Sequence, residues 1–514
     1  MRPVRLRFAP SPTGPLHIGG VRTALYNYLY ARKNQGTFIL RIEDTDQGRY
    51  VKGAESYIIK SLEWLGIEFD ESPAKGGDFG PYRQSERKAL YQEYTDQLIK
   101  SGAAYYAFDS SEELEAMRKK FNEQGVHSPK YDANTRMTMR NSLTMTPEEV
   151  KDQLEKGDNV VVRLKLDPGQ LVAFSDVVRG EVAFNTSELD DKVLLKGDGM
   201  PTYHMANVVD DFLMEISHVV RGEEWLSSTA HHVLLYRALG WEDKMPTFAH
   251  LPLILNPTGK GKLSKRAGAK FGFPVFPLSW QAETEEDSFE GFREYGFDAD
   301  ATLNFLVFLG WNPGSEQEIF SLEELIGAFS LDGIVKSGAR FDIDKAKWFN
   351  QQYILQSAAE ELLPRVKSLL EDKGVEKNDS FLLRFIDLMK ERVTLIPDFY
   401  TAAGYFFSAE FDYDEKTIRK KWKGDNIADI KQLFSLIETI ETWNSETLQN
   451  TIKGFIQENG LSFGNILPLV RIATSGTMKG PDVFEMMALL DKADVVNRLK
   501  EGLVKFDAVK EQAS

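Results

Sequence analysis

"RFAPSPTGPLHIGG", residues 7–20, decides the fold. It joins an apolar stretch, Val4 to Ala9, to a longer amphipathic one, Ile18 to Lys33, through prolines, glycines and one histidine. Prolines and glycines break regular structure. The spacing therefore predicts a strand over 4–9, a helix over 18–33 and a tight turn between them. A helix N-terminus carries unpaired N–H groups and a partial positive charge, so it attracts anions. Gly19 and Gly20 have no side chains, which lets a flat base pack on the helix backbone. His17 can donate a hydrogen bond to a phosphate oxygen. Taken alone, the stretch reads equally well as a tight turn with a locally satisfied histidine.

Working outward, "TFILRIED" (37–44) predicts a second strand, and helices follow over about 53–65 and 85–102. In the latter, Leu90, Tyr94 and Leu98 recur at i, i+4 and i+8, and Gly102 suits the C-terminal cap. Residues 105–190 are mixed, with β-rich pieces at 159–166 and 171–184, and read as an insertion between two halves of a sheet. "KVLLK" (192–196) resumes an α/β pattern that runs to about 255. After "FPVFPLSW" (273–280) strand signals nearly vanish, and from about 320 the pattern is helical. Phe381, Leu382, Phe385, Leu388 and Met389 fit one apolar helix face.

A chain of 514 residues exceeds one core, and about three or four domains are expected. No apolar run approaches the ~20 residues of a membrane span. Residues 1–20 lack the apolar core of a signal peptide, so a cytoplasmic protein is expected. With no cysteine there is no disulfide framework and no thiolate zinc site. The histidines, at 17, 127, 204, 218, 231, 232 and 250, form no HExxH pattern. A net charge of −16 argues against nucleic acid as a partner of the whole surface. "KTIRKKWK" (416–423) is a basic run with an aromatic inside it, most simply a solvated helix face, and "AETEEDSFE" (282–290) a solvated acidic segment.

The second informative stretch is "GKGKLSKR", residues 259–266. It has no P-loop spacing. It is a glycine-containing loop with four cations, Lys260, Lys262, Lys265 and Arg266, suited to neutralising charge that develops on a triphosphate, although taken alone it reads more simply as a solvated basic turn.

Together, in this order, the two stretches resemble the HIGH and KMSKS signatures of class I aminoacyl-tRNA synthetases. Gly20 stands where HIGH has its second histidine, and KMSKS reads "KLSKR" (262–266). "RFAPSPTG" (7–14), "RIEDTD" (41–46), "GPYRQSER" (80–87), "LLKGDGMPTYHMANVVDD" (194–211) and "VVRGEEWLSST" (219–229) are similar to bacterial members of the glutamyl-tRNA synthetase family. The resemblance is dense to about 270, with "FDIDKAKWFN" (341–350) as a later anchor.

The resemblance implies an α/β, Rossmann-like catalytic domain with an α+β insertion, followed by an all-α C-terminal anticodon-binding region. Its segments fall at 1–104 and 191–320 for the catalytic halves, 105–190 for an acceptor-end insertion, 321–374 for a helical stem-contact part and 375–514 for the anticodon part. It implies ATP with Mg²⁺, L-glutamate and tRNA(Glu) as substrates, a glutamyl-adenylate intermediate and a monomer. His17, Lys262 and Lys265 become the catalytic residues. Nucleotide contacts fall to His17, Gly19, Gly20, Glu224 and the loop Lys262, Leu263, Ser264, Lys265 and Arg266. Glutamate falls to Arg7, Ser11, Glu43, Tyr203, Asn207 and Arg221, where arginine forks match a carboxylate in a bidentate way. Trp225 reads as core packing. Arg392, Lys416, Arg419 and Lys420 are candidate tRNA contacts. Some family members carry a cysteine-bound zinc in the insertion; "AYYAFDSS" (104–111) has no cysteine, so no zinc is expected.

Glutaminyl-tRNA synthetase shares the catalytic architecture, but its anticodon region is β-barrel and this one reads helical. A shorter tRNA-modifying relative and a metabolite adenylyltransferase fit the chain length poorly. A non-catalytic tRNA-binding relative fits poorly with intact His17, Lys262 and Lys265.

Overall fold

The computed structural model describes residues 2–512 except 283, 409 and 425. Glu283, inside the acidic stretch read at 282–290, and the extreme ends of the first and last segments lie outside the described residues. The chain forms two units: Met1–Glu294 with Thr302–Ile343, and Tyr295–Ala301 with Asp344–Ser514.

In the first unit, strand Arg5–Phe8 runs parallel to strand Thr37–Leu40, and helix Ile18–Lys33 makes the crossover. Pairing of the first strand stops before Pro10 and Pro12, which have no N–H to give. The period of two puts Arg5 and Arg7 on one face and Leu6 and Phe8 on the other, and all four are buried. Buried guanidiniums need partners. Arg5 grips Glu71 with two bonds of 2.9 and 3.1 Å, and Arg7 grips Asp211 with two of 3.0 and 3.2 Å. The helix starts at Ile18 because the Nδ1 of His17 accepts the Gly19 N–H at 3.1 Å, satisfying one of the orphan donors of the first turn. Ile18, Val21, Leu25 and Leu29 along it are fully buried.

The second predicted strand is shorter than expected, Thr37–Leu40, and continues only as the single bridge of Ile42 with Arg83. A four-stranded sheet has the order Gly180–Asn185, Leu171–Asp176, Thr247–Leu251, His218–Gly222. The last two are parallel over five residue pairs, whereas the hairpin 171–185 joins through one pair, Asp176 with Phe248. Ser217 ties this sheet to the N-terminal strand: its N–H donates to Arg5 O at 2.9 Å, and its Oγ accepts the Arg5 N–H at 2.8 Å.

A separate antiparallel sheet has the order Ala104–Ala107, Val161–Leu164, Val193–Leu195. Its neighbouring helices Ser111–Glu123 and Pro147–Lys156 both begin with a capping box, Ser110 with Glu113 and Thr146 with Glu149. The helix expected over 85–102 resolves into a 3₁₀ turn, Gln84–Arg87, and the helix Lys88–Lys100.

The second unit is helical, and its core includes Leu382, Phe385, Ile386 and Met389 from helix Asp379–Met389. The aromatic in the basic run, Trp422, is 1% exposed and donates its indole N–H to Asp507 at 3.0 Å. That ring belongs to the core and offers no stacking surface. Among the described residues, no helix is long and apolar enough to cross a membrane.

Candidate functional site

A cavity of about 940 Å³ in the first unit gathers thirteen of the residues read from sequence. They are Arg7, Ser11, His17, Gly19, Gly20, Glu43, Tyr203, Asn207, Arg221, Glu224, Lys262, Leu263 and Ser264. Strand ends supply Arg7 and Arg221, the first helix supplies Gly19 and Gly20 behind His17, and helix Tyr203–Leu213 supplies Tyr203 and Asn207. Lys265 and Arg266 do not line it. They open the helix Lys265–Phe271, and Arg266 is exposed. Lys265 Nζ donates to Glu286 O at 3.0 Å, lies 3.2 Å from Asp287 Oδ1 and sits over the Phe289 ring. The acidic stretch read as merely solvated is thus what holds this lysine.

One end of the cavity is built on a buried ionic cluster. Arg41 donates to Asp211 at 2.7 Å and to Glu43 at 3.1 Å; Arg87 pairs with Asp210 at 2.7 Å; Arg7 shares Asp211. Three guanidiniums, of Arg7, Arg41 and Arg87, therefore face three carboxylates, of Glu43, Asp210 and Asp211. Asn207 donates to Glu43 at 3.2 Å. Burial pushes the Glu43 carboxyl up, against the pull of Arg41 and Arg7.

Arg221 is different. It is 6% exposed and, among the described residues, makes no ion pair. Its Nη1 donates to Tyr203 Oη at 2.6 Å, Nη2 to Thr229 Oγ1 at 2.8 Å and Nε to His250 Nε2 at 3.1 Å. All three partners are uncharged acceptors here. A buried cation without a counter-charge is costly, and this one borders open cavity, an arrangement that suits an anionic group there.

At the other end stands His17. Burial, with the nearby charge of Lys262 adding to it, lowers its pKa from 6.5 to about 4. The ring is neutral at physiological pH. Since Nδ1 accepts from Gly19, the proton sits on Nε2, and Nε2 is buried with no partner among the described residues. The residue combines both readings of the sequence, a cap closing a turn and a free donor. Lys262 Nζ lies 2.7 Å from Glu224. Burial raises the Glu224 carboxyl, but the bond from Lys262, a bond from its own backbone N–H and the charges of Lys262 and Arg22 together outweigh it, holding the group below its ordinary value. Gly222 leaves room for this carboxylate, which a side chain there would strike.

Trp225, expected in the core, is 40% exposed and lines the cavity, its ring 4.3 Å from that of Tyr203. It closes the short 3₁₀ turn Glu223–Trp225, too brief to bury a side chain against a neighbouring layer. Sequence reasoning missed Arg41, Asp210, Asp211, Thr229, His250 and Arg22. Arg22, buried in the first helix, donates to the carbonyls of Pro252 and Leu309 at 2.5 and 2.6 Å. The available signals were "VVDD" (208–211), two carboxylates in an apolar helix, and a histidine inside the apolar run "FAHLPLIL" (248–255).

In the second unit, Arg392 closes the 3₁₀ turn Lys390–Arg392 and makes only long contacts, 3.4 Å to Leu388 O and 3.5 Å to Glu391. Lys416, Arg419 and Lys420 lie on the helix Glu415–Lys421, where Arg419 pairs with Glu415 at 2.9 Å. Also missed was a pair of buried polar atoms without partners among the described residues, Tyr405 Oη and Arg471 Nη1, both facing Gly480. Among the described residues, no three His, Asp or Glu side chains are arranged to hold a metal ion.

Comparison with known proteins gives two family matches: the catalytic domain of class I tRNA synthetases (E and Q) over residues 3–348, and an anticodon-binding domain over 355–503. The chain is 51% identical over 503 residues to the glutamate–tRNA ligase of Porphyromonas gingivalis, covering 98% of this chain and 99% of that one. It is 49% identical to the glutamate–tRNA ligase of Amoebophilus asiaticus, covering 98% of each. A crystal structure of a glutamate–tRNA ligase from Elizabethkingia meningosepticum in complex with its amino acid superposes with a TM-score of 0.94 at 46% identity, covering 98% and 99% of the two chains.

Proposed function

We propose, for a chain that belongs to the class I tRNA synthetases of the glutamate and glutamine type, that this cavity joins L-glutamate to ATP and passes the product to tRNA(Glu). One observation carries the reading: an uncompensated buried guanidinium, Arg221, and an unpartnered imidazole donor, His17, border the same cavity. The first suits a side-chain carboxylate, the second a phosphate. The glutaminyl alternative is disfavoured, because a neutral side chain leaves Arg221 uncompensated.

In the first step the α-carboxylate of glutamate attacks the α-phosphorus of ATP. The bond to the β-phosphate oxygen breaks, and pyrophosphate leaves with its electron pair. Glu43 and Asn207 receive the α-ammonium end, Ser11 adds a neutral hydrogen bond, and Arg221 with Tyr203 receives the side-chain carboxylate. Because Tyr203 Oη already accepts from Arg221, its own proton is free to be donated. Arg7, neutralised by Asp211, adds polarity at the strand end. His17 Nε2–H donates to an α-phosphate oxygen as charge develops there. Gly19 and Gly20 admit the base, Glu224 the ribose, and the segment Lys262–Arg266 closes on the polyphosphate. Magnesium enters with ATP as part of the substrate. In the second step the terminal ribose 2′-OH of tRNA attacks the acyl carbonyl and AMP departs. No side chain forms a covalent bond; alignment supplies the rate.

Residues 1–104 and 191–320 make up the catalytic part in this reading, 105–190 holds the acceptor end, 321–374 contacts the stem, and 375–514 reads the anticodon, with Arg392, Lys416, Arg419 and Lys420 as contacts. The enzyme acts as a cytoplasmic monomer. Charging of total tRNA with each proteinogenic amino acid tests the function: glutamate is accepted, and a preference for glutamine overturns the reading.

Lys265 must leave Asp287 to reach phosphate. The pair is 39% and 74% exposed, so breaking it costs little. Lys265→Ala is therefore expected to keep its melting temperature and lose roughly 10² in the rate of tRNA-dependent ATP–pyrophosphate exchange. Unchanged exchange removes Lys265 from the chemistry.

A further inference from the structure

Arg221 does not hold itself in place. Its Nε–H points at His250 Nε2, 3.1 Å away, and the Thr229 hydroxyl lies 3.1 Å from the same nitrogen. A nitrogen that accepts from a guanidinium carries no proton. The proton of this ring is therefore on Nδ1, which lies 2.6 Å from Asp176 Oδ2. His250 and Asp176 are both fully buried. The other oxygen of Asp176 is saturated by the backbone N–H groups of Val178, Arg179 and His250, at 3.0, 2.9 and 3.2 Å. The carboxylate can neither turn nor take up water. Neither Asp176 nor His250 lines the cavity.

We propose that Asp176 and His250 form a positioning pair that fixes the tautomer of the imidazole and, through it, the orientation of Arg221 toward the amino-acid side chain. The inference rests on the reading that Arg221 receives that carboxylate. The arrangement places a negative charge one ring away from the guanidinium. A carboxylate in direct contact, as Asp211 is for Arg7, neutralises its arginine and competes with an anionic ligand. An imidazole between the two charges orients the fork and leaves its outer edge free. Asp176 ends the hairpin strand Leu171–Asp176 and pairs with Phe248, two residues before His250, so one bridge sets the register of both partners.

The pair makes Arg221 selective as well as fixed. With Asp176 changed to Asn, its amide donates to His250 Nδ1, and the ring proton moves to Nε2. There it confronts the Arg221 Nε–H, donor against donor, with no change of side-chain size. Asn at 250 keeps a donor toward Asp176 but does not reach Arg221; Gln at 250 places an acceptor near Arg221 but gives up Asp176.

The test measures KM for glutamate and for ATP separately, in tRNA-dependent pyrophosphate exchange, for Asp176→Asn, His250→Asn, His250→Gln and Arg221→Leu. Displacing a substrate-holding group by about 1 Å costs on the order of 10²-fold in efficiency. Asp176→Asn and His250→Asn are expected to raise the glutamate KM by about 30-fold with the ATP KM within about twofold, and to narrow the preference for glutamate over glutamine. His250→Gln is expected to recover most of the loss. Nitrogen-15 correlation spectra of labelled histidine should show the His250 proton moving from Nδ1 to Nε2 in Asp176→Asn. An unchanged glutamate KM in both variants, or glutamate and ATP KM values rising in step, overturns the proposal. Should Asp176→Asn fail to fold, the two substitutions at 250 decide by the same readings. If Arg221→Leu abolishes the glutamate preference while the others leave KM alone, the pair fails and the pocket assignment stands. If Arg221→Leu leaves the preference intact, the assignment fails and takes the pair with it.

Discussion

Arg221→Leu is expected to lose roughly 10³ in kcat/KM for glutamate, with ATP affinity nearly intact. Removing one partner of a buried charge pair costs about 3–5 kcal/mol, and about 4 kcal/mol corresponds to that factor. The loss falls on the complex and not on the fold. Among the described residues Arg221 meets only the uncharged groups of Tyr203, Thr229 and His250 and the Trp225 carbonyl, so its removal strands no buried anion. Arg7→Leu is the informative contrast. It strands Asp211, which would keep only Arg41, and should lower stability by about 3 kcal/mol. Glutamine, which brings no charge, should suffer less than glutamate in Arg221→Leu. Steady-state charging with both amino acids decides it. Losses in equal ratio would exclude Arg221 as the side-chain partner and favour Arg7.

His17→Asn separates the two tasks of one ring. Asn is a good N-cap and can take over the bond to the first helical turn. It cannot present a donor where Nε2 now lies unpartnered. Removing one preorganised donor to a developing oxyanion costs about 2.7–4 kcal/mol, so exchange should fall between roughly 10² and 10³ with stability at pH 7.5 almost unchanged. A pH dependence accompanies it. The folded pKa, about 4, lies below the unfolded 6.5, so the unfolded state binds the proton more readily between those values. Stability is lost as pH falls through 6.5 and the loss levels off below 4. At pH 5 this ring costs about 2 kcal/mol. Urea melts at pH 7.5 and pH 5 should show His17→Asn losing about 2 kcal/mol less than the parent. Equal losses would mean that His17 titrates normally.

The parts of the fold legible in sequence were those where local chemistry acts alone. The helix Ile18–Lys33 was readable to the residue, because Pro15, His17 and the glycines fix its start and Asn34 follows its basic end. The motif residues that line the cavity were readable because each belongs to one of a few short motifs. Their supports were not. Asp211 serves Arg7 from 204 positions away, and Asp176 reaches His250 across 74. Periodicity holds no trace of such pairings. Trp225 was misread because an aromatic closing a short charged turn looks like core by composition, whereas here one face packs on Tyr203 and the rest is exposed. Lys265 was read by its motif as facing phosphate, while its present partners, Glu286 and Asp287, lie in a stretch whose composition says only that it is acidic.

Trp225 has a use that its exposure creates. Its indole lies against Tyr203, whose hydroxyl is bonded to Arg221, so the ring sits two contacts from the charge proposed to receive the amino acid. Indole emission responds to the field and to the solvent at its face. The chain therefore carries its own optical reporter of pocket occupancy, at the mouth of the cavity where filling displaces water. The chain has eight tryptophans, so the difference in emission between the parent and Trp225→Phe isolates this signal. Rapid-mixing fluorescence can then follow amino-acid entry as a kinetic trace, without radiolabel and without turnover.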